Sequence, residues 1–264
     1  MILLPYMQNA LLVGAIVSIV AGVIGFFVVL RGASFATHAL AQVGFAGAAG
    51  AVLLGIDPIF GLLGFSLLGA GGMGALSTRS GGRDAIIALV MTAALGTGAL
   101  FLVLNRTYAT DAFSLLFGTI VGISRLQVLE TAALALLSLV AIGAIYRPLL
   151  FATVSPEAAR ARSVPMQRLD VVFLMCIALA ASTTIPTVGT LLIFSLMVAP
   201  PAAAALLTDR PWIAIAAGIG LNLACCWGGI VVAYTSGLPV GFLIASFAAI
   251  VYVAARVYTT FKAP

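Results

Sequence analysis

A chain of 264 residues that is 63% hydrophobic and only 7% charged, with a mean hydropathy of +1.26, lies far from the roughly 25% charged residues of a water-soluble domain. It reads as an integral membrane protein, and its polar intervals are too short for a separate soluble domain, which begins near about 50 residues. The formal charge of +5 does not point to nucleic acid, because the basic residues are spread singly rather than gathered into a patch with interleaved aromatics.

Apolar runs of about 20 residues, enough to cross roughly 30 Å of hydrocarbon, predict an all-α polytopic bundle of about nine transmembrane helices, or eight if two early neighbours merge. Residues 1–264 form one transmembrane domain on this reading. The first span is 9–30; the segment MILLPYMQN before it carries no basic residue, and the run exceeds a signal peptide's core, so it is expected to be retained. The second span is 34–56, Asp57 and Pro58 mark a turn, and the third is 59–76. TRSGGRD at 78–84 is an exposed loop, and the fourth span is 85–104. The interval 105–125 has polar edges and a semi-apolar centre at 115–123, which suggests a short interfacial or re-entrant helix.

The fifth span, 126–146, ends at Arg147 and Pro148, and the most polar segment of the chain follows. Four spans remain, at 171–185, 188–207, 212–234 and 240–255. Pro200 and Pro201 interrupt the seventh, where missing N–H donors predict a kink or break that serves gating. Glycine is frequent, 28 residues in all, and sets such as Gly69, Gly71, Gly72, Gly74 and Gly96, Gly98 let helix backbones approach closely.

Charge distribution fixes the orientation. With the N-terminus outside, the cytoplasm receives Arg31, Arg79, Arg83, Arg147, Arg160, Arg162, Arg168, Arg210, Arg256 and Lys262, which leaves only Arg106 and Arg125 of the 12 basic residues outside. This positive-inside bias places the C-terminus in the cytoplasm.

Within the cytoplasmic segment, Ser155, Pro156 and Glu157 supply a hydroxyl cap, a proline at the first helical position and an acid in the first turn. Arg160 and Arg162 follow on a short helix that Pro165 ends, giving a rigid cationic element at about 155–165. One reading is a solvated loop that satisfies the charge bias. The other is a docking element for a cytoplasmic protein, favoured because charge alone would not need a capped helix with a definite stop.

The single histidine lies in RGASFATHALAQVGFAG, at 31–47. His38 and Gln42 are four apart and leave one face of a helix, starting near one membrane surface and running inward. Ionisable groups inside a membrane are functional by default; the bland alternative is a helix-start residue bonded to nearby backbone. Glu130, one turn into the fifth span, reads more as a snorkelling carboxylate than as a pathway group. Asp57 either contacts an external partner or caps a turn, and Asn222 is placed to bridge helices. Cys176, Cys225 and Cys226 fall in apolar runs and read as small core residues. The methionines are scattered and suggest no copper chemistry.

SPEAARARSVPMQRLD resembles the coupling-helix segment of permeases from ATP-driven zinc and manganese importers. PYMQNALLVG, GFFVVLRGAS, LLFGTIVGIS and VGTLLIFSLMVAPPAAAALLT resemble that family's recurring segments in the expected order, so the likeness spans essentially the whole chain. It implies the many-helix class of ABC importer permeases and a homodimer in the bacterial cell (inner) membrane. Two cytoplasmic ABC ATPase subunits dock on Ser155, Pro156, Glu157, Arg160, Arg162 and Arg168, and an extracytoplasmic solute-binding protein delivers the metal. The chain contains no GxxxxGK[ST] run, so ATP and magnesium belong to the partner ATPase and this subunit is a conduit, not an enzyme.

The family usually carries an aspartate and, four residues later, a histidine at the start of its second helix. Here these positions are His38 and Gln42, which removes the anionic ligand. Two imidazoles related by a two-fold axis suit zinc ahead of manganese, with Gln42 in a supporting role that orients the ring. The alternative from another class is an ATP-independent secondary transporter or channel, against which stands the near-absence of intramembrane acids for ion coupling. An intramembrane enzyme lacks a paired nucleophile and base.

Overall fold

The computed structural model describes residues 5–76, 82–104 and 123–262. Ten helices occur among them: α1 (Pro5–Leu30), α2 (Ser34–Leu53), α3 (Pro58–Leu76), α4 (Arg83–Leu104), α5 (Arg125–Val154), α6 (Pro156–Ala161), α7 (Met166–Val188), α8 (Thr190–Leu207), α9 (Pro211–Ser236) and α10 (Val240–Lys262). No strand occurs among the described residues. Eight of the helices are long and apolar enough to cross a membrane, and the apolar part of α8, Leu192–Leu207, is shorter. The expected re-entrant segment at 115–123 falls almost wholly outside the described residues, as does most of the 78–84 loop.

α2 is the buried axis of the bundle. It packs on α3, α4, α7 and α8, while α1 packs on α8, α9 and α5, and α10 lies against α8 and α9. Over an 18-residue stretch 83% of α2 is buried, against 22% for each of α4, α5 and α10, whose outer faces carry bare Leu89, Leu136 and Phe261. Alanine and glycine supply most of α2's buried positions, and the reason is steric. A Cβ on Gly47 would lie 2.2 Å from Gly61 O, and one on Gly61 would lie 2.2 Å from Gly47 O, so α2 and α3 cross backbone to backbone. In lipid, where apolar burial against a neighbour gains little over burial against acyl chains, such close packing holds helices together.

The helices that contain prolines differ most from the sequence expectation. α5 does not stop at Tyr146: it has 30 residues and runs through Pro148. At about 1.5 Å per residue it spans about 45 Å, well beyond the roughly 30 Å of hydrocarbon. Proline costs one helical hydrogen bond, and the helix continues through it nonetheless. At its start, Ser124 and Gln127 form a reciprocal capping box. α7 likewise passes Pro186 and reaches Val188, and the break falls on Gly189 at φ 88°, a conformation that favours glycine. α8 is continuous through Pro200 and Pro201; the helix is not broken there.

Candidate functional site

The turn from α1 into α2 brings the two candidate elements together. Gly32 adopts φ 61°, and Ala33 N donates to Val28 O at 2.8 Å, a glycine-based helix stop that satisfies the last carbonyls of α1. α2 restarts at Ser34, so His38 lies just over one turn in.

His38 Nδ1 is buried and has no hydrogen-bond partner among the described residues. The imidazole instead meets Phe194 of α8 edge to face, with ring centres 5.1 Å apart and planes at 68°. Gln42, 8% exposed, sits one turn further along the same face, and no hydrogen bond joins it to His38 among the described residues. The expected orienting bond is therefore not made within one subunit. No group of three or more His, Cys, Asp or Glu side chains gathers among the described residues, and at this place they offer an approaching cation one imidazole and one amide. A buried ring nitrogen without a partner is costly unless something else satisfies it.

Pro200 and Pro201 lie one to two turns beyond Phe194 on α8. Lacking N–H groups, they leave Leu196 O and Met197 O without helical donors. A Cβ on Gly25 of α1 would come within 2.4 Å of Met197 O and 2.6 Å of Pro201 Cγ, so only a glycine lets α1 cover this weakened stretch.

At the same end of the bundle as the α1–α2 turn stands the hairpin α5–α6–α7. Ser155 occupies the N-cap of α6, but its hydroxyl makes no capping bond; its own N–H instead continues α5 by donating to Phe151 O at 3.0 Å. The expected hydroxyl cap is thus replaced by Pro156 at the first position and Glu157 in the first turn. α6 is shorter than expected and stops before Pro165. Ser163 takes φ 56°, and Val164 N donates to Ala159 O at 3.0 Å, a Schellman-type stop built without glycine. Ala159 is fully buried and anchors the helix, whereas Glu157, Arg160, Arg162 and Arg168 are exposed. The two arginines of α6 and its cap are not equivalent: Arg162 lies over the Phe151 ring at 5.7 Å, and Arg160 has no such tie among the described residues.

Sequence reasoning missed the feature that joins the two elements. Arg31, counted only for its charge, pairs through Nη2 with Asp170 of α7, and its Nη1–H donates to Thr153 Oγ1 of α5 at 3.1 Å. The guanidinium also lies over Phe173 at 5.5 Å. The two charged side chains are 9% and 28% exposed. A separation of 139 residues leaves no periodic signal. Position could have hinted at it, since both charges sit where helices end on the same side of the membrane.

The weaker candidates resolve individually. Asp57 Oδ1 accepts from Ile59 N at 2.9 Å and so caps the start of α3. Asn222 is fully enclosed, with neither amide atom bonded, and does not form the expected helix bridge. Glu130 is half-buried. All three cysteines are buried and free.

A model of the ABC 3 transport family matches residues 3–259. The manganese transport system membrane protein MntC of Halalkalibacterium halodurans is 30% identical over 254 residues, 96% of this chain and 85% of that protein. The manganese import system permease protein ScaB of Streptococcus parasanguinis is 26% identical, with 94% of this chain and 88% of that protein covered. Among solved structures, PsaBC from Streptococcus pneumoniae in complex with Fab superposes with a TM-score of 0.85 at 25% identity, over 96% of this chain and 91% of that one.

Proposed function

Because the chain belongs to the ABC 3 transport family, we propose that it is the membrane-spanning permease of an ATP-driven importer for a divalent first-row metal cation. It works as a homodimer in the bacterial inner membrane with its C-terminus in the cytoplasm. The observation that carries the cargo is the unpartnered, buried Nδ1 of the chain's one histidine. One protomer cannot enclose an ion with an imidazole and an amide; two copies about a two-fold axis present two of each, a weak and therefore releasable site. Nitrogen ligands rank zinc ahead of manganese. The second reading, manganese, is favoured by the relatives, which are manganese transport proteins.

An extracytoplasmic solute-binding protein hands the ion to the outward-open dimer. Two cytoplasmic ATPase subunits grip α6, with Arg160 and Glu157 as exposed contacts, Arg168 at the exit and Ser155 and Pro156 at the entry. Their closure on ATP and magnesium tilts the hairpin and changes which side of His38 is open. Pro200 and Pro201 give α8, and Phe194 with it, a weak point about which to move. Work at α6 moves the ion only if the two conformations bind it with different affinity.

The test is uptake into proteoliposomes holding this chain with its ATPase and binding protein, with zinc and manganese in competition. ATP-dependent uptake that favours zinc is expected. Uptake without a working ATPase would replace the reading with an ATP-independent transporter, and a preference for manganese would overturn the zinc assignment alone.

A further inference from the structure

We propose that Arg31 is the positioning residue through which movement of the α5–α6–α7 hairpin reaches the helix carrying His38. The inference rests on the reading above, in which α6 receives the work of ATP. One guanidinium holds both stems of the hairpin: Thr153, at the end of α5, through Nη1, and Asp170, at the start of α7, through Nη2. α6 lies between these two residues in sequence, so a tilt applied at α6 displaces both anchors together.

Arg31 itself ends the α1–α2 turn's first half, three residues before Ser34 opens α2. The helices also touch directly, α2 against α7, but apolar contact has no direction of its own. A planar fork with two bonded arms does have direction. Phe173 beneath the plane and near-complete burial leave the guanidinium little freedom. Gly32, which follows Arg31, is bonded into the turn together with Ala33, so a displaced Arg31 carries the turn with it. A simple structural clamp would need the ion pair but not the second arm to Thr153.

The measurement is ions moved per ATP hydrolysed, in proteoliposomes of the complete importer with binding protein, using whichever of zinc or manganese the wild type transports. Arg31→Gln should leave ATP hydrolysis within about twofold while ions per ATP fall about tenfold, and Thr153→Val, which trims one arm and little volume, should lower the ratio about threefold. The exchanged pair Arg31→Asp with Asp170→Arg should recover at least about half of the wild-type ratio. An unchanged ratio in both single variants, or transport and hydrolysis falling in proportion, would overturn the proposal. Should Arg31→Gln fail to assemble, Thr153→Val decides alone. A wild-type importer that shows no ATP-driven uptake would instead sink the permease reading itself, so the two failures are distinguishable.

Discussion

Arg31 and His38 stand seven residues apart, one in the α1–α2 turn and one just inside α2, and they are held differently. The guanidinium is bonded to two elements and stacked on a third side chain. The imidazole is held by an aromatic edge alone, and its buried nitrogen faces no partner. Both polar groups are expensive to bury in a membrane protein; among the described residues the guanidinium is bonded through both Nη atoms and leaves only its Nε without a partner, whereas the imidazole Nδ1 has none. On the proposed reading, the difference separates a residue that fixes geometry from one that keeps a coordination position open for cargo.

The comparison breaks first, and with the largest effect, at Asp170. Asp170→Ala strands a buried guanidinium, and removing one member of a buried pair typically costs about 3–5 kcal/mol. The expected result is a strongly lowered midpoint of thermal unfolding in detergent. A midpoint like that of the wild type would mean that Arg31 finds water instead and is not structurally held.

Packing supplies the next effect. Gly47→Ala puts a Cβ 2.2 Å from Gly61 O, where neither backbone can yield, and overpacking of this kind costs about 1–3 kcal/mol. Gly64, with open space around its α-carbon, is the internal control: Gly64→Ala should match the wild type or gain slightly from helix propensity. Equal midpoints for the two alanine variants would show that the α2–α3 crossing is looser than its backbone contact indicates.

How much of this was readable beforehand follows from the range of each signal. Membrane spans are local, because about 20 apolar residues in a row suffice, and the element order along the chain follows from them. The short helix α6 was legible through proline, acid and arginine at fixed offsets, yet the unused Ser155 hydroxyl and the stop at Ser163 were not, because both depend on how the hairpin is built beyond Tyr146. The His38–Gln42 pair could be placed on one face but not given neighbours, since Phe194 lies on a helix more than 150 positions later. Arg31 with Asp170 is the extreme case: charge counting saw each residue and could not see the pair.

His38 should respond in function rather than stability. An edge-to-face ring contact is worth about 0.5–1.5 kcal/mol, so His38→Ala should shift the unfolding midpoint little while ATP-dependent metal uptake falls about tenfold, equivalent to about 1.4 kcal/mol of lost binding. His38→Asp, which restores the residue type that the family resemblance places there, should recover uptake and move the preference toward manganese, the harder ion. Unchanged uptake in His38→Ala would place the open nitrogen outside the pathway and make the contrast with Arg31 incidental.

The smallest effect repeats the same contrast on the hairpin, between a held arginine and a free one. Arg162 lies over Phe151, and at an exposed site such a contact is worth about 0.5–1 kcal/mol. Arg162→Ala should therefore loosen α6 and weaken ATPase co-purification only two- to fivefold, roughly the population change that such an energy allows. Arg160 has no such internal tie to lose among the described residues. Arg160→Glu should leave the helix intact, visible as an unchanged unfolding midpoint, and reduce co-purification more than Arg162→Ala does, because a contact with the partner has become a repulsion. If the ranking is reversed, docking depends on the shape that Arg162 gives the hairpin and the open cation is only a topological charge; if neither variant alters co-purification, α6 is not the docking element.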